Sequence, residues 1–215
     1  MMLVKLTVSD LPTTLCLLSV EGFVLLPQSS FPLVISDPQS REVLDAAELE
    51  GGFVGLIQER EGGSRFYDVG CLGHIVPVDR DEEAHRIVIE GLIRFRVREE
   101  LPRGPDGLLR VAVSYEEFAH DLDDAEEELP GWNLDAFKEK LIEFGRSRFG
   151  TAGILEQMPP RQVVRFMAQT SPFTPAERQA LLEAQGFQEM LETLFQLLAL
   201  NFLTTTPDPS PEQAN

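Results

Sequence analysis

Three histidines and two cysteines are the imidazole and thiol groups of this 215-residue chain, the first candidates for a nucleophile's base or a zinc ion. Cys71 and His74 stand in a C-x-x-H spacing, and Cys16 with His85 would complete four donors for a tetrahedral zinc ion. Structural zinc sites are ordinarily built from two close pairs, and the second pair is missing here. Cys71 is therefore expected to be a buried thiol within a strand, and His74 a strand residue facing solvent. Serine catalysis needs a positioned base, and neither a G-x-S-x-G turn nor a phosphate-cradling G-x-x-x-x-G-K-[ST] string occurs in the sequence. No catalytic residue, cofactor or metal ligand is expected, and the chain reads as a protein other than an enzyme.

Three further patterns bear on binding. The run from Glu116 to Glu128 is dense in Asp and Glu, and Asp121, Asp123 and Asp124 are hard oxygen donors of the kind calcium takes. It lacks the mid-loop glycine and ligand spacing of a calcium loop, so a solvated acidic linker is the expectation. Arg94, Arg96 and Arg98 recur with period two and share one strand face, where ion pairing with Glu90, Glu99 or Glu100 is expected rather than contact with RNA. Trp132 is the sole tryptophan, set in Pro130-Gly131-Trp132-Asn133. It either packs the linker against the strand-rich half or serves as an aromatic anchor for a partner, and it is the one partner-binding residue the sequence singles out.

Charge narrows the partner. The formal charge of −18 opposes phosphate backbones and anionic bilayers, so neither nucleic acid nor a membrane is expected as partner. The first twenty residues carry one Lys and an apolar pattern broken at Ser9, Asp10 and Pro12, unlike an export signal. No stretch reaches the roughly 18 uninterrupted apolar residues of a bilayer span. A cytoplasmic location and free thiols at Cys16 and Cys71 are expected.

The elements that must position these residues fall into two halves. Short Val-, Ile-, Leu- and Phe-rich clusters predict strands at 15–19, 23–26, 33–35, 53–58, 67–78, 86–99 and 109–118. Gly91 breaks the alternation between Ile87 and Val97, which predicts a bulge or bend there. One helix interrupts the strands, capped by Asp37, opened by Pro38 and closed near Gly51-Gly52, with Val43, Leu44, Ala47 and Leu49 on its apolar face. After Asn133 the period becomes helical. Four helices are predicted, at 134–149, 160–170, 175–185 and 187–203, the third opened by a capping box of Thr174 and Glu177. The last is apolar on several sides and should be covered on most of its circumference. The expected organisation is a β domain over 1–118, an acidic linker over 119–133, a helical part over 134–203 and a disordered tail over 204–215.

Three stretches of the strand-rich half are similar to one known family. FVLLPQSSFPLVISDPQSREVL, from Phe23 to Leu44, resembles its opening strand, proline turn, second strand and helix. VGCLGHIVPVDRDEEAHRIVIEGLIRFRVREEL, from Val69 to Leu101, carries a "VG-x-x-x-x-I" strand, an acidic hairpin and an "EG-x-x-RF-x-V" strand, and RVAVSYEE from Arg110 to Glu117 stands at the closing strand. The chain thus resembles the amino-terminal substrate-binding domain of Lon-type ATP-dependent proteases, in a stand-alone form without the ATPase and protease modules. It departs from the family at Gln28, where glycine is usual after the first proline. The resemblance implies an α+β fold, a small PUA-like twisted β-barrel with one inserted helix, followed by a C-terminal helical bundle. It also implies a non-catalytic module that binds unfolded or extended polypeptide, or alternatively an adaptor for one folded partner such as a protease or chaperone.

Overall fold

The computed structural model describes residues 6–60, 66–80, 83–123, 128–149 and 153–204. The tail expected to be disordered and the middle of the acidic run lie outside them. Strands β1 (Thr14–Leu18), β2 (Ser30–Ile35), β3 (Phe53–Leu56), β4 (Val69–Arg80), β5 (His85–Glu100) and β6 (Arg110–Ser114) precede the helical half, with α1 (Pro38–Leu49) inserted between β2 and β3.

β1 pairs with β3, β3 with β4, β4 with β5, β5 with β6 and β6 with β1, which closes a ring. β2 adds to the outside edge of β5, from Ser30↔Glu90 to Ile35↔His85, while β6 takes over that same edge from Arg96 onwards. A long β5 therefore needs a corner between its two partners. Gly91 supplies it, because the register with β4 jumps from Leu72↔Ile93 to Gly73↔Gly91. Its backbone also closes the β2 turn, with Gly91 N–H donating to Ser29 O and Gln28 N–H donating to Gly91 O, both at 2.8 Å. A Cβ at position 91 would sit 2.1 Å from Leu26 O, so only glycine fits this corner.

The segment Phe23–Leu26 is a correction to the strand reading. Its side chains are buried like those of a strand, yet it joins no ladder. An apolar run records burial and says nothing about hydrogen-bond partners. Helix α1 begins as expected, with Asp37 accepting from the Ser40 amide at 2.8 Å, and that bond holds the Asp37 carboxyl below the usual carboxylate range. Gly51 and Gly52 follow it at φ 104° and 82°. Val43, Leu44 and Ala47 face the core, but Leu49 is 90% exposed and leaves the apolar face one residue short of the prediction.

The helical half comprises α2 (Leu134–Phe149), α3 (Gly153–Gln157), α4 (Pro160–Thr170), α5 (Pro175–Glu183) and α6 (Phe187–Thr204). α3 is one more helix than predicted, a single turn too short to show a period. Thr174 and Glu177 form the capping box at α5. α2 packs on α4, and α5 on both α6 and β4. Leu191 and Leu194 of α6 are fully buried, whereas Phe195 and Leu200 remain 46% and 58% exposed, so the helix is covered on less of its circumference than its composition suggests.

Candidate functional site

The barrel and the helices meet through a polar seam. Gln179 on α5 donates to Val69 O at 3.0 Å, Gln58 after β3 donates to Gln179 Oε1 at 3.1 Å, and Gln169 on α4 donates to Val24 O at 3.2 Å. All three glutamines are buried, so each bond replaces water that the side chain has lost.

Arg94 anchors this seam. Its side chain is 5% exposed and that of its partner, Asp121, 7%. The guanidinium grips the carboxylate with two edges, Nε at 2.9 Å and Nη2 at 2.7 Å, while the Arg94 amide donates to the same group at 3.0 Å. Nη1 donates to the carbonyls of Leu182 and Ala184 at the end of α5. The cation also lies 4.7 Å above the Phe118 ring. One side chain thus ties β5 to α5 and to the 3-10 segment Glu116–Leu122.

This geometry revises two expectations. The acidic run is not wholly solvated, since it folds into a 3-10 turn that buries Phe118 and the Asp121 carboxylate. Arg94 and Arg96 do pair within the chain, but with that turn: Arg96 binds Glu117 at 2.7 and 2.8 Å, while Arg98 donates to Ser114 on the neighbouring strand β6. Arg96 beside it holds the Glu117 carboxyl below the ordinary range. Partners across a fold are not coded by proximity in the chain.

Gln28 occupies the left-handed region, at φ 56°. A non-glycine residue there costs roughly 1–2 kcal/mol. The side chain offsets this by bridging three elements, donating to the Asp121 and Asp123 carbonyls at 3.3 and 3.2 Å and accepting from Arg165 of α4 at 2.8 Å.

Above the seam lies an open cleft of about 740 Å³ between the barrel and the helices. Leu26 and Pro27 line it from the barrel, and Leu182, Phe187 and Met190 from α5 and α6. Arg161 and Arg165 of α4 enter it with their guanidinium carbons 4.5 and 5.0 Å from the Phe187 ring centroid. The apolar residues of its wall are nearly buried, Leu26 and Leu182 at 2%, Met190 at 6% and Phe187 at 8% exposure, and polar side chains such as Gln28, Asp121 and Gln162 share the lining.

The other residues marked in the sequence lie elsewhere. Cys71 and His74 are three positions apart on β4 and point to opposite sides, Cys71 fully buried and His74 packed on Phe53 and Glu90. Burial pushes the Cys71 thiol well above its ordinary range, and burial together with Glu50 does the same for Cys16. Among the described residues no group of three His, Cys, Asp or Glu could hold a metal ion. Trp132 packs edge-on against Phe137 of α2 and Phe195 of α6, at 5.5 and 6.0 Å, so it meets the helical half and not the barrel. It lines a shallow pocket with Leu129, Leu134 and Arg161. Arg161, Arg165 and Phe187 carried no mark in the sequence, although the i, i+4 arginines of α4 were visible as a one-sided basic pair.

Comparison with known proteins agrees with this architecture. Residues 14–199 match the family model of the ATP-dependent protease La (LON) substrate-binding domain. The chain is 24% identical to Lon protease 2 of Myxococcus xanthus over 198 residues, covering 88% of this chain and 24% of that protein. It is 23% identical to the Lon protease of Anaeromyxobacter dehalogenans over the same length, covering 88% and 23%. It thus spans about a quarter of the length of these curated relatives. Among solved structures, the N-terminal domain of the Mycobacterium avium complex Lon protease superposes with a TM-score of 0.62 at 21% identity, covering 86% of this chain and 98% of that one. The Lon N-terminal domain protein from Xanthomonas campestris superposes at 0.56, also at 21% identity, over 87% and 98%. A closed barrel with an inserted helix and a helical C-terminal half, matched by the family model over most of its length, places the chain in the substrate-binding domain family of the ATP-dependent protease La (LON).

Proposed function

We propose that the chain is a non-catalytic recognition module that takes up unfolded or extended polypeptide in the cleft between barrel and helices. The observation that carries this reading is the open cleft of about 740 Å³ between barrel and helices in a member of a substrate-binding family. Apolar pockets in such a cleft take alternate side chains of an extended chain, and the surrounding polar groups orient its backbone. The reading carries over neither ATP hydrolysis nor proteolysis, which belong to the full-length relatives.

A second reading is favoured by one observation. Phe195 and Leu200 are exposed apolar residues of α6, with Trp132 against Phe195, and apolar side chains left outside the core suit one folded partner, making the chain an adaptor. Fluorescence anisotropy with a labelled model protein, compared in its reduced, alkylated form and its native form, separates the two. Micromolar binding of the unfolded form alone supports recognition of extended polypeptide. Failure to bind any unfolded chain, with one stoichiometric folded partner recovered from lysate, replaces it with the adaptor reading.

A further inference from the structure

Part of the sheet runs past the closed ring. β3 pairs with β4 only as far as Phe53↔His74, so beyond Ile75 the neighbour of β4 is β5, and β2 lies on the far side of β5. β2, β5 and β4 thus form a three-stranded extension whose two outer strands each carry a proline, Pro32 and Pro77. Proline has no N–H to offer a further strand, so the extension makes contacts through its face and not its edges. Alternation decides what that face presents. Ile87 and Ile89 of β5 are buried, so Arg86, Val88 and Glu90 point the other way. Register sets Pro32, Val88 and Val76 side by side across the three strands, Pro32 and Val76 exposed and Val88 half-buried. On one side of this row the exposed Val34 adjoins Arg86, whose guanidinium meets Asp79 at 3.4 Å. On the other side Glu90 stands beside His74 at 3.8 Å. The face is an apolar row flanked by charges of both signs.

We propose that this face pairs with the same face of a second copy of the chain, about a two-fold axis that runs along the row of Pro32, Val88 and Val76. Two symmetric arrangements bring the apolar rows together. An axis along β5 would lay Glu90 over Glu90 of the second copy, and Arg86 over Arg86. An axis along the row reverses the strands, so Glu90 of each copy lies over Arg86 of the other, while Val88 and Val76 meet their own counterparts. Of the two, only the second is complementary in charge, and it leaves the pairs of Arg86 with Asp79 and of Glu90 with His74 in place. Three strands about 4.8 Å apart make a face smaller than the roughly 800 Å² per partner of a standard interface, so the dimer is weak and concentration-dependent. The net charge of −18 opposes it at long range, but salt screens that opposition beyond roughly 8 Å at physiological ionic strength. None of these residues lines the cleft between barrel and helices. Pairing therefore gives a module with two clefts, and a polypeptide long enough to reach both gains avidity.

Sedimentation equilibrium of the full chain at about 0.15 M salt, from about 10 μM to about 1 mM, covers the span of weak association. The mean mass is expected to rise with concentration towards twice that of one chain. Val76→Glu sets two carboxylates face to face across the axis and should weaken association at least about tenfold. Glu90→Arg and Arg86→Glu each lay like charges over one another, so each variant alone should stay single. Mixed in equal amounts, the two should form a one-to-one dimer, because every overlap is then between opposite charges. All three substitutions lie on the exposed face, and each variant should keep the native circular dichroism spectrum. A wild type that stays single up to about 1 mM overturns the proposal, as does association that Val76→Glu leaves unchanged. Failure of the mixed charge variants to pair, under conditions where wild type does, overturns it as well. The polypeptide-binding reading stands or falls separately, on the anisotropy assay.

Discussion

Removing the Asp121 carboxylate should weaken the whole molecule and not merely loosen a loop. In Asp121→Ala the Arg94 guanidinium and backbone amide lose three bonds of 2.7 to 3.0 Å, and a cation that is 5% exposed is left with the Leu182 and Ala184 carbonyls, the His120 Nε2 at 3.1 Å and the Phe118 ring. Breaking a buried pair from one side costs roughly 3–5 kcal/mol, a large share of the 5–15 kcal/mol by which domains are stable. In a chain of this size that corresponds to a fall in melting temperature of about 10 °C. The double replacement Arg94→Leu with Asp121→Leu removes both charges, and its cost should fall well below the sum of the single replacements, with a coupling of roughly 2 kcal/mol or more. Arg94→Lys keeps the charge but loses the fork that reaches β5, α5 and the 3-10 turn together, so it should lie between wild type and Arg94→Leu. Urea unfolding followed by Trp132 emission and by circular dichroism measures Asp121→Ala, Arg94→Lys, the two single Leu replacements and their double. Single replacements that cost less than about 1 kcal/mol, or costs that simply add, would refute the view that this pair clamps barrel to helices.

Three other outcomes follow from the same structure. Gln28→Ala keeps the left-handed backbone and loses the bridge to Asp121, Asp123 and Arg165, so it should cost about 1–2 kcal/mol, whereas Gln28→Gly relieves the backbone and should cost less; chemical denaturation ranks the two. Gly91→Ala drives a Cβ into Leu26 O at 2.1 Å and should cost roughly 3 kcal/mol or prevent folding, read from the unfolding midpoint and soluble yield. Cys71 is pushed up by burial, so its contribution is fully present below the unfolded thiol value of about 8.5 and is lost as pH rises above it, by at most roughly 1.4 kcal/mol per pH unit. Unfolding at a series of alkaline pH values should show this loss, and Cys71→Ala should lessen it, with Cys16 and Tyr115, also pushed up by burial, supplying the remainder.

Local signals were legible because they need only neighbours in the chain. Asp37 before Pro38 and Thr174 before Pro175 mark helix starts by satisfying amides three residues on, and both caps form as read. Gly91 betrayed itself by breaking the period of two, and the structure adds why no side chain is tolerated there. Phe23–Leu26 misled because buried loops and strands share a composition. The partners of Arg94 and Arg96 were assigned to Glu90, Glu99 and Glu100, the acids nearest in sequence, yet the 3-10 turn folds back over β5 and brings Asp121 and Glu117 to them instead. Trp132 was the one partner-binding residue marked; the structure packs it against Phe137 and Phe195 of the helical half.

The sequence by itself determined the division into a strand-rich and a helical half, the ends of most helices, the corner at Gly91 and the family likeness. Each depends on hydrophobic period, backbone freedom or capping, which act over a few residues. Only the tertiary structure decided that β5 changes partners from β2 to β6, that Asp121 leaves the acidic run to bind Arg94, and that Leu26, Met190 and Arg161 face one cleft. Those pairings join residues tens of positions apart, and they exist because closing the barrel and docking the helices removes charged and polar groups from water, which then hold only where a partner meets them.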